Sequence, residues 1–214
     1  RMNDAQVVLG VLHSIFGAAL ADGIIERDPT ARLAPVGKPQ VSRRALTLDE
    51  RKALEAVLQS GRKPRHLFAA LLYYCGLRAS EALGLRWEDV DVKGAVVHVR
   101  RSIDGYTGLP STTKTSAGVR DVPMPPQLAE LLRGRVGIGW IFSGRDGEPM
   151  GYNDCVSYWW KPLMEEVREA GKRMKLEIGD GITPHYLRHT YASILYASGV
   201  DVVQAQRWLG HESI

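Results

Sequence analysis

The residue types most able to do chemistry together lie at Thr183-Pro-His-Tyr-Leu-Arg-His189. Thr183 is a favoured helix N-cap and Pro184 a favoured first helical residue, so a helix is predicted to begin here. His185 and Arg188 are three residues apart and therefore share one face of the first turn. A helix N-terminus, an imidazole and a guanidinium directed at one point predict an anion-binding site. The alternative is that both side chains are solvated residues near a helix start.

A metal site is a second interpretation of the same segment. His185 and His189 are four residues apart, the spacing of two zinc ligands on one helix face. A zinc protease would place a glutamate at position 186, where this chain has Tyr186. We therefore expect no metal at these residues.

A second cluster surrounds Arg78, which lies between a predicted helix ending at Gly76 and another beginning near Ser80. An arginine at such a junction can direct its planar fork at a phosphate. Glu81 follows three residues later and can hold that arginine in place. The alternative is an ordinary surface pair between Arg78 and Glu81, which would contribute little to stability.

Two further residues have weaker local signals. Lys114 lies beside a predicted tight turn at Ser116-Ala-Gly118, between two short strands. Such a lysine is often only a charge on a strand edge. His211 directly follows Gly210, which ends a predicted helix, and a histidine in this position often interacts only with the helix end.

The elements that carry these residues predict a mainly helical α+β fold with a small three-stranded antiparallel sheet. The first strand is Ala95–Ser102, and two more are expected near Ser111–Thr115 and Val119–Met124. Thr47 and Glu50 form a predicted capping box, and Pro162 should kink or split its helix. The predicted helices cover 4–22, 48–58, 64–76, 80–85, 126–136, 153–170, 184–197 and 202–209.

Composition sets only broad limits on function. The 214 residues are 44% hydrophobic and 24% charged, which is typical of a globular protein. The formal charge of +4 is compatible with a nucleic-acid partner without requiring one. Cys75 and Cys155 lie far apart in no metal-binding spacing, which favours reduced core thiols in a cytoplasmic protein. The apolar stretch Leu67–Leu77 is too short to span a bilayer, so no membrane association is expected.

In combination and in this order, the clusters closely resemble the tyrosine recombinase (phage integrase) family. The resemblance runs from about Thr47 to the end of the chain. Most of it depends on three motifs, which are Gly-Leu-Arg-x-Ser-Glu-x-Leu-x-Leu, His-x-Leu-Arg-His and Leu-Gly-His. The first helix and Glu26-Arg-Asp-Pro29 resemble the last helix of that family's core-binding domain. The resemblance implies three parts: the end of a core-binding domain at 1–33, a proline-rich linker at 34–45, and a catalytic domain at 46–214 without its C-terminal tyrosine segment.

The resemblance also implies a mechanism. In such enzymes a tyrosine attacks the scissile phosphate, forms a 3′-phosphotyrosyl link and releases a 5′-hydroxyl, with no metal or other cofactor. Arg78 and Arg188 would clamp the non-bridging oxygens. Lys114 would protonate the leaving 5′-oxygen, His185 would assist proton transfer at the tyrosine, and His211 would hydrogen-bond the phosphate. The supporting residues would be Glu81 and His189.

The nucleophile is the one element of this mechanism without a candidate residue. The family places its tyrosine on a further helix beyond the last histidine, whereas all eight tyrosines of this chain precede His211. Tyr186, Tyr191 and Tyr196 are predicted to be helical core residues, so none is assigned, and we expect the tyrosine segment to be cut away or unseen. The fragment itself is then expected to be inactive.

The implied partners are double-stranded DNA carrying a specific recombination site and further copies of the protein, as a tetramer on DNA. Three other functions stay open. The first is a type IB topoisomerase, which uses similar residues, although the sequence motifs around Arg78 and His211 resemble those of integrases. A DNA-binding module without catalysis is the second, and a helical domain with no DNA role is the third.

Overall fold

The computed structural model describes residues 4–34, 44–112, 118–135, 137–144 and 147–210. The chain divides into two compact units, Arg1–Ser42 and Arg43–Ile214. The first unit contains helix α1 (Asp4–Ala21) and the turns that follow it. In this unit a hydrogen bond of 2.9 Å joins His13 Nε2 to the carbonyl oxygen of Thr30. The bounds of α1 confirm the predicted first helix at 4–22. Its apolar side chains Val8 and Ile15 are both 57% exposed.

The second unit is mainly helical, as the sequence predicts. The helices predicted at 48–58, 64–76, 80–85, 184–197 and 202–209 lie within two residues of the observed bounds, and several of them end at a glycine. The helix predicted at 126–136 ends earlier, at Leu132, and the one predicted at 153–170 is divided and extends to Met174. The observed helices are α2 (Leu48–Ser60), α3 (Pro64–Cys75), α4 (Ala79–Leu83), α5 (Pro126–Leu132), α6 (Tyr152–Asp154), α7 (Lys161–Met174), α8 (Pro184–Ala197) and α9 (Val202–Leu209).

The described strands form two small antiparallel sheets. One has three strands in the order β1 (Val90–Asp91), β2 (Val96–Val99) and β5 (Arg120–Pro123), and the other pairs β3 (Arg101–Ile103) with β4 (Pro110–Thr112). The predicted strand Ala95–Ser102 is divided at Arg100, because the chain pairs with β5 before this residue and with β4 after it. The sequence did not predict β1. The end of the predicted strand Ser111–Thr115 and most of its turn lie outside the described residues.

Helix α3 lies at the centre of the core. Phe68 is fully buried on it and meets Phe142 edge-on, with ring centroids 5.8 Å apart. The helix ends at Gly76, whose φ of 62° is in the left-handed region. A Cβ added to this glycine would lie 2.1 Å from Cδ1 of Tyr191 on α8. Gly76 therefore permits both the sharp exit from α3 and the close approach of α8.

Pro162 divides its helix as predicted. A π-helical turn, Cys155–Trp160, separates α6 from α7, and Pro162 occupies the first turn of α7. A proline is tolerated there because the first-turn N–H groups have no partner within the helix. Cys155 and Cys75 are both buried, and burial raises the pKa of each thiol to about 12, as expected of core cysteines.

The start of α2 is attached to α8. The predicted capping box is confirmed, since Glu50 N donates to Thr47 Oγ1 (3.2 Å) and Thr47 N donates to Glu50 Oε2 (2.8 Å). Both Glu50 oxygens also accept hydrogen bonds of 2.6 Å from Arg44. Next to this cap, Leu46 N donates to Thr190 Oγ1 at 2.8 Å. These contacts fix α8, which carries His185 and Arg188, against the first residues of the second unit.

A charged cluster joins α3 to α7. Glu166 on α7 accepts hydrogen bonds from Arg65 and from His66 Nε2 (2.5 Å) on α3. Lys63 N donates to His66 Nδ1 at 3.1 Å, so the proton of a neutral ring lies on Nε2. Burial alone would raise the pKa of Glu166, but the bonds from Arg65 and His66 lower that pKa to about 2.

This cluster predicts acid sensitivity of the fold. Because the folded pKa of Glu166 is below its ordinary 4.5, the stabilisation it provides is present above pH 4.5 and is lost as the pH falls towards 2. Over that interval, urea denaturation should show a smaller loss of unfolding free energy for Glu166→Gln than for the wild-type chain. Glu165→Gln, at an exposed position on the same helix, is the control. Equal pH dependence of Glu166→Gln and wild type would contradict the prediction.

No helix within the described ranges is long and apolar enough to cross a membrane.

Candidate active site

A cavity of about 170 Å³ lies between the beginning of α4 and the beginning of α8. It brings together Arg78, His185 and Arg188, which are far apart in the sequence. Pro184 is the first residue of α8, so the N-terminus of this 14-residue helix borders the cavity. The lining residues are Leu77, Arg78, Ala79, Ser80, Tyr152, Pro184, His185 and Arg188. The predicted convergence of the α8 N-terminus, the Arg188 guanidinium and the His185 imidazole is therefore present in the structure, and Arg78 lines the same cavity.

Thr183 occupies the N-cap position of α8 as predicted, in an extended conformation. Its carbonyl oxygen accepts a bond of 2.9 Å from Tyr186 N, but among the described residues its side chain makes no capping hydrogen bond. Helix α8 therefore begins at Pro184, a favoured first residue, without the side-chain cap that the sequence predicts.

Arg188 is buried, with 6% of its surface exposed. Its Nη1 donates to the carbonyl oxygen of Gly76 at 2.6 Å, and its Nη2 donates to the carbonyl oxygen of Leu209. Burial lowers the pKa of Arg188, and the positive charge of Arg78 lowers it further, while Glu81 opposes the shift. The guanidinium remains charged at neutral pH. A buried cation bordering a cavity is attractive to an anion, since little water screens it.

Glu81 lies between the arginines and is only 2% exposed. Its Oε1 accepts from Arg78 Nη1 (2.7 Å) and Arg120 Nη1 (3.1 Å), and its Oε2 accepts from Arg78 N (2.8 Å) and Arg120 Nη2 (2.8 Å). These four bonds use the full accepting capacity of a carboxylate. Arg188 Nη1 lies 3.9 Å from Oε2. Burial by itself would raise the pKa of Glu81, but the bonds and charge of Arg120 and Arg78 lower it.

The surface-pair interpretation of Arg78 and Glu81 is therefore wrong. Arg78 keeps 37% of its side chain exposed, whereas Glu81 is buried beneath three arginines. One carboxylate cannot neutralise three guanidiniums, so the cluster keeps an excess of positive charge beside the cavity. Such an excess favours an anion and disfavours a cation.

The three arginines also share a second partner, the C-terminal end of α9. Arg120 Nε donates to the carbonyl oxygen of Trp208 (2.7 Å), Arg188 Nη2 to that of Leu209, and Arg78 Nη2 to that of Gly210 (3.1 Å). Three successive carbonyls that lack partners within the helix are satisfied in this way. Positive charge is also favourable at a helix C-terminus.

Two predicted site residues, Lys114 and His211, lie outside the described residues. The structure places the ring of His189 6.2 Å from that of His185, centroid to centroid, on the following turn of α8. The described part of the chain contains no group of three or more metal-ligating side chains.

The tyrosines of α8 differ in their surroundings. Tyr186 and Tyr191 are each 6% exposed and belong to the core, as predicted. Burial raises the pKa of Tyr191, so its phenol is a poor nucleophile. Tyr196 is 82% exposed, and the prediction that it is a core residue is wrong. It follows the buried Leu195 by one position, and this 100° step takes it off the buried face of the helix.

Sequence reasoning missed two residues of this region, Arg120 and Tyr152. Arg120 and Val122 are buried on β5, whereas Asp121 between them is exposed. Because side chains alternate along a strand, the sequence signal is an arginine at a position that shares the buried face with Val122. Tyr152 lines the cavity from α6. Its only local signal is Gly151 before it, which does not indicate an anion site.

Comparison with known proteins identifies the family. The model of the phage integrase family matches residues 44–214, most of the chain and nearly all of the second unit. The chain belongs to the phage integrase family. Within this family, the tyrosine recombinase XerA of Thermococcus kodakarensis is 34% identical over 188 residues, which is 87% of this chain and 61% of that protein. A putative prophage phiRv2 integrase of Mycobacterium tuberculosis is 26% identical over 213 residues, covering 95% of this chain and 54% of the relative.

Solved structures show the same fold. The Tn1549 transposon integrase, solved in complex with a circular intermediate DNA, superposes with a TM-score of 0.77 at 22% identity, covering 97% of this chain and 71% of that one. A lambda integrase dimer bound to a core site gives a TM-score of 0.57 at 23% identity, with coverage of 97% and 71%. The predicted mainly helical α+β recombinase fold is therefore confirmed. The chain spans about three fifths of the length of the first curated relatives.

Proposed function

We propose that the chain carries the phosphate-binding part of a site-specific DNA recombinase, which cleaves and rejoins DNA through a 3′-phosphotyrosyl intermediate. The observation that carries this proposal is the cavity bordered by Arg78, Arg188 and the N-terminus of α8, with Glu81 fixing Arg78 from behind. Family membership supports the same reaction class.

The residues have distinct roles in the proposed reaction. The tyrosine oxygen attacks phosphorus and the bond from phosphorus to the 5′-oxygen breaks, so negative charge develops on the non-bridging oxygens. Arg78 and Arg188 stabilise that charge. His185 borders the same cavity and assists proton transfer at the tyrosine, while Lys114 donates a proton to the departing 5′-oxygen. His211 hydrogen-bonds the phosphate, and His189 supports His185 from the next turn of α8. No step requires a metal.

We assign no tyrosine of these 214 residues as the nucleophile. Tyr152 lines the cavity, but it has no counterpart in the family's order of motifs, in which the nucleophile follows the last histidine.

We also propose a division of the chain into the end of a core-binding domain at 1–33, a linker at 34–45 and a catalytic domain at 46–214. The proposed partners are duplex DNA with a specific site and further copies of the protein, as a tetramer on DNA. We propose that an enzyme acting on such DNA works in the cytoplasm, on the nucleoid.

The test is covalent capture of DNA by the full-length protein. Duplexes of pooled random sequence carry one nick, so that cleavage next to it releases a short strand and traps the phosphotyrosyl link. We expect a protein–DNA adduct that survives denaturation, and sequencing of the trapped strand would give the site. The absence of an adduct from a protein that binds the same duplexes would overturn the recombinase proposal and favour a DNA-binding module.

Two companion measurements distinguish the recombinase from a topoisomerase and from a helical domain without a DNA role. Relaxation of supercoiled plasmids of unrelated sequence would favour a type IB topoisomerase. DNA binding should weaken as salt concentration rises, because phosphate contacts release counterions. The absence of salt-dependent binding would favour the helical domain without a DNA role.

A further inference from the structure

Arg120 is a buried arginine that joins Glu81 to other parts of the second unit. It is 8% exposed, faces inward from β5 and contacts three different parts of the chain. Its two Nη atoms hold both oxygens of Glu81, its Nε donates to the carbonyl oxygen of Trp208 (2.7 Å), and its Nη1 also donates to that of Gly118 (3.0 Å).

Arg120 differs from its two neighbours in its relation to the cavity. Arg78 and Arg188 line it, whereas Arg120 is not among the lining residues. The guanidinium of Arg120 donates to both carboxylate oxygens of Glu81, and the same two oxygens accept from Arg78. It therefore acts on the cavity through another residue, and no direct contact with a bound phosphate is expected.

The contacts of Arg120 have two structural consequences. The planar fork of a guanidinium matches a carboxylate in one orientation, so Arg120 fixes the rotamer of Glu81 and, through Glu81, the direction of the Arg78 fork. The bond from Nε to Trp208 holds the last turn of α9 against the same cluster. A lysine at position 120 would keep the charge but has one nitrogen, which cannot span Glu81, Trp208 and Gly118 together.

We propose that Arg120 is a positioning residue of the DNA cleavage reaction, which fixes the Arg78 fork through Glu81 and docks the C-terminal end of α9 beside it. The proposal rests on the proposed function for its effect on cleavage. Its structural part, the holding of α9 and β5, does not depend on that function.

The experiment compares Arg120→Lys with wild type in the full-length protein. We expect the single-turnover cleavage rate at saturating nicked duplex to fall by about 10- to 100-fold, because misplacement of a catalytic group by about 1 Å has effects of this size. DNA affinity should change by less than about threefold, because the buried guanidinium makes no phosphate contact. Arg101→Lys is the matched control, since Arg101 pairs with buried Asp89 away from the cavity.

Hydrogen exchange gives a second measurement that needs no catalysis. Amides of 118–122 and 202–210 should exchange faster in Arg120→Lys than in wild type, whereas α2 should be unchanged. If Arg120→Lys does not fold, Arg120→Met combined with Glu81→Gln removes both charges, and Glu81→Gln alone is its control. The proposal would be overturned if Arg120→Lys cleaved as fast as Arg101→Lys, if the double variant cleaved as fast as Glu81→Gln, or if exchange at α9 were unchanged. Failure of the wild-type protein to cleave would overturn the proposed function and leave the exchange result interpretable.

Discussion

Arg188→Ala is expected to lower the rate of covalent DNA cleavage by on the order of 10²- to 10³-fold or more, the effect of removing one donor to the charge of a transition state. Arg188 borders the cavity with a guanidinium that Gly76 and Leu209 hold in place, so the positive charge is preorganised before DNA binds. DNA affinity should change much less, because contacts with many phosphates along the duplex supply most of it. Single-turnover cleavage of a nicked duplex and a binding titration with the full-length protein measure the two effects.

Two variants test whether the effect belongs to the geometry of Arg188. Arg188→Lys keeps the charge but loses the planar fork that bonds Gly76 and Leu209, so it should also cleave slowly. Arg65→Ala removes a partly buried arginine that pairs with Glu166, outside the cavity lining, and should lower stability without a comparable loss of cleavage. If Arg188→Ala cleaves at the wild-type rate, Arg188 has no role in charge stabilisation.

The sequence predicts the helices of the second unit well because their ends have local causes. Thr47 and Glu50 form the predicted capping box, Gly76 ends α3 and Pro162 divides its helix. Each of these signals acts within a few residues, so no knowledge of tertiary packing is required. The sequence predicts that Pro184, His185 and Arg188 lie together for the same reason, since all three lie within one turn.

The features that the sequence does not predict depend mainly on contacts between distant segments. Arg120 is 39 residues from Glu81 and 88 residues from Trp208 along the chain, so no local pattern shows that one guanidinium joins them. The division of the first predicted strand at Arg100 has the same origin, because pairing with β5 and β4 decides it. Tyr196 shows a different limit, since apolar spacing on α8 does not specify which side chains the rest of the fold covers.

Glu81→Ala is expected to lower the free energy of unfolding by about 3–5 kcal/mol, the usual cost of removing one partner from a buried ion pair. Glu81 accepts four hydrogen bonds from Arg78 and Arg120, and Arg188 lies 3.9 Å from it. Without this carboxylate, buried positive charges repel one another with little water to screen them. Urea denaturation of the chain at neutral pH measures the change. The control is Glu88→Ala, because Glu88 forms a 3.5 Å pair with Arg86 and is 62% exposed, and it should cost less than about 1 kcal/mol.

The pH dependence of the same variants tests the cause of this loss. The folded pKa of Glu81 is below its ordinary 4.5, so the stabilisation from its charge is present above pH 4.5 and is lost as acid protonates the folded carboxyl. Glu81→Gln cannot take up this proton, and the stability difference between it and wild type should shrink as the pH falls below 4.5. A loss in Glu81→Ala no larger than in Glu88→Ala would show that the three arginines do not need this carboxylate. A difference between Glu81→Gln and wild type that is independent of pH would instead assign the effect to packing, because packing of an uncharged side chain does not titrate.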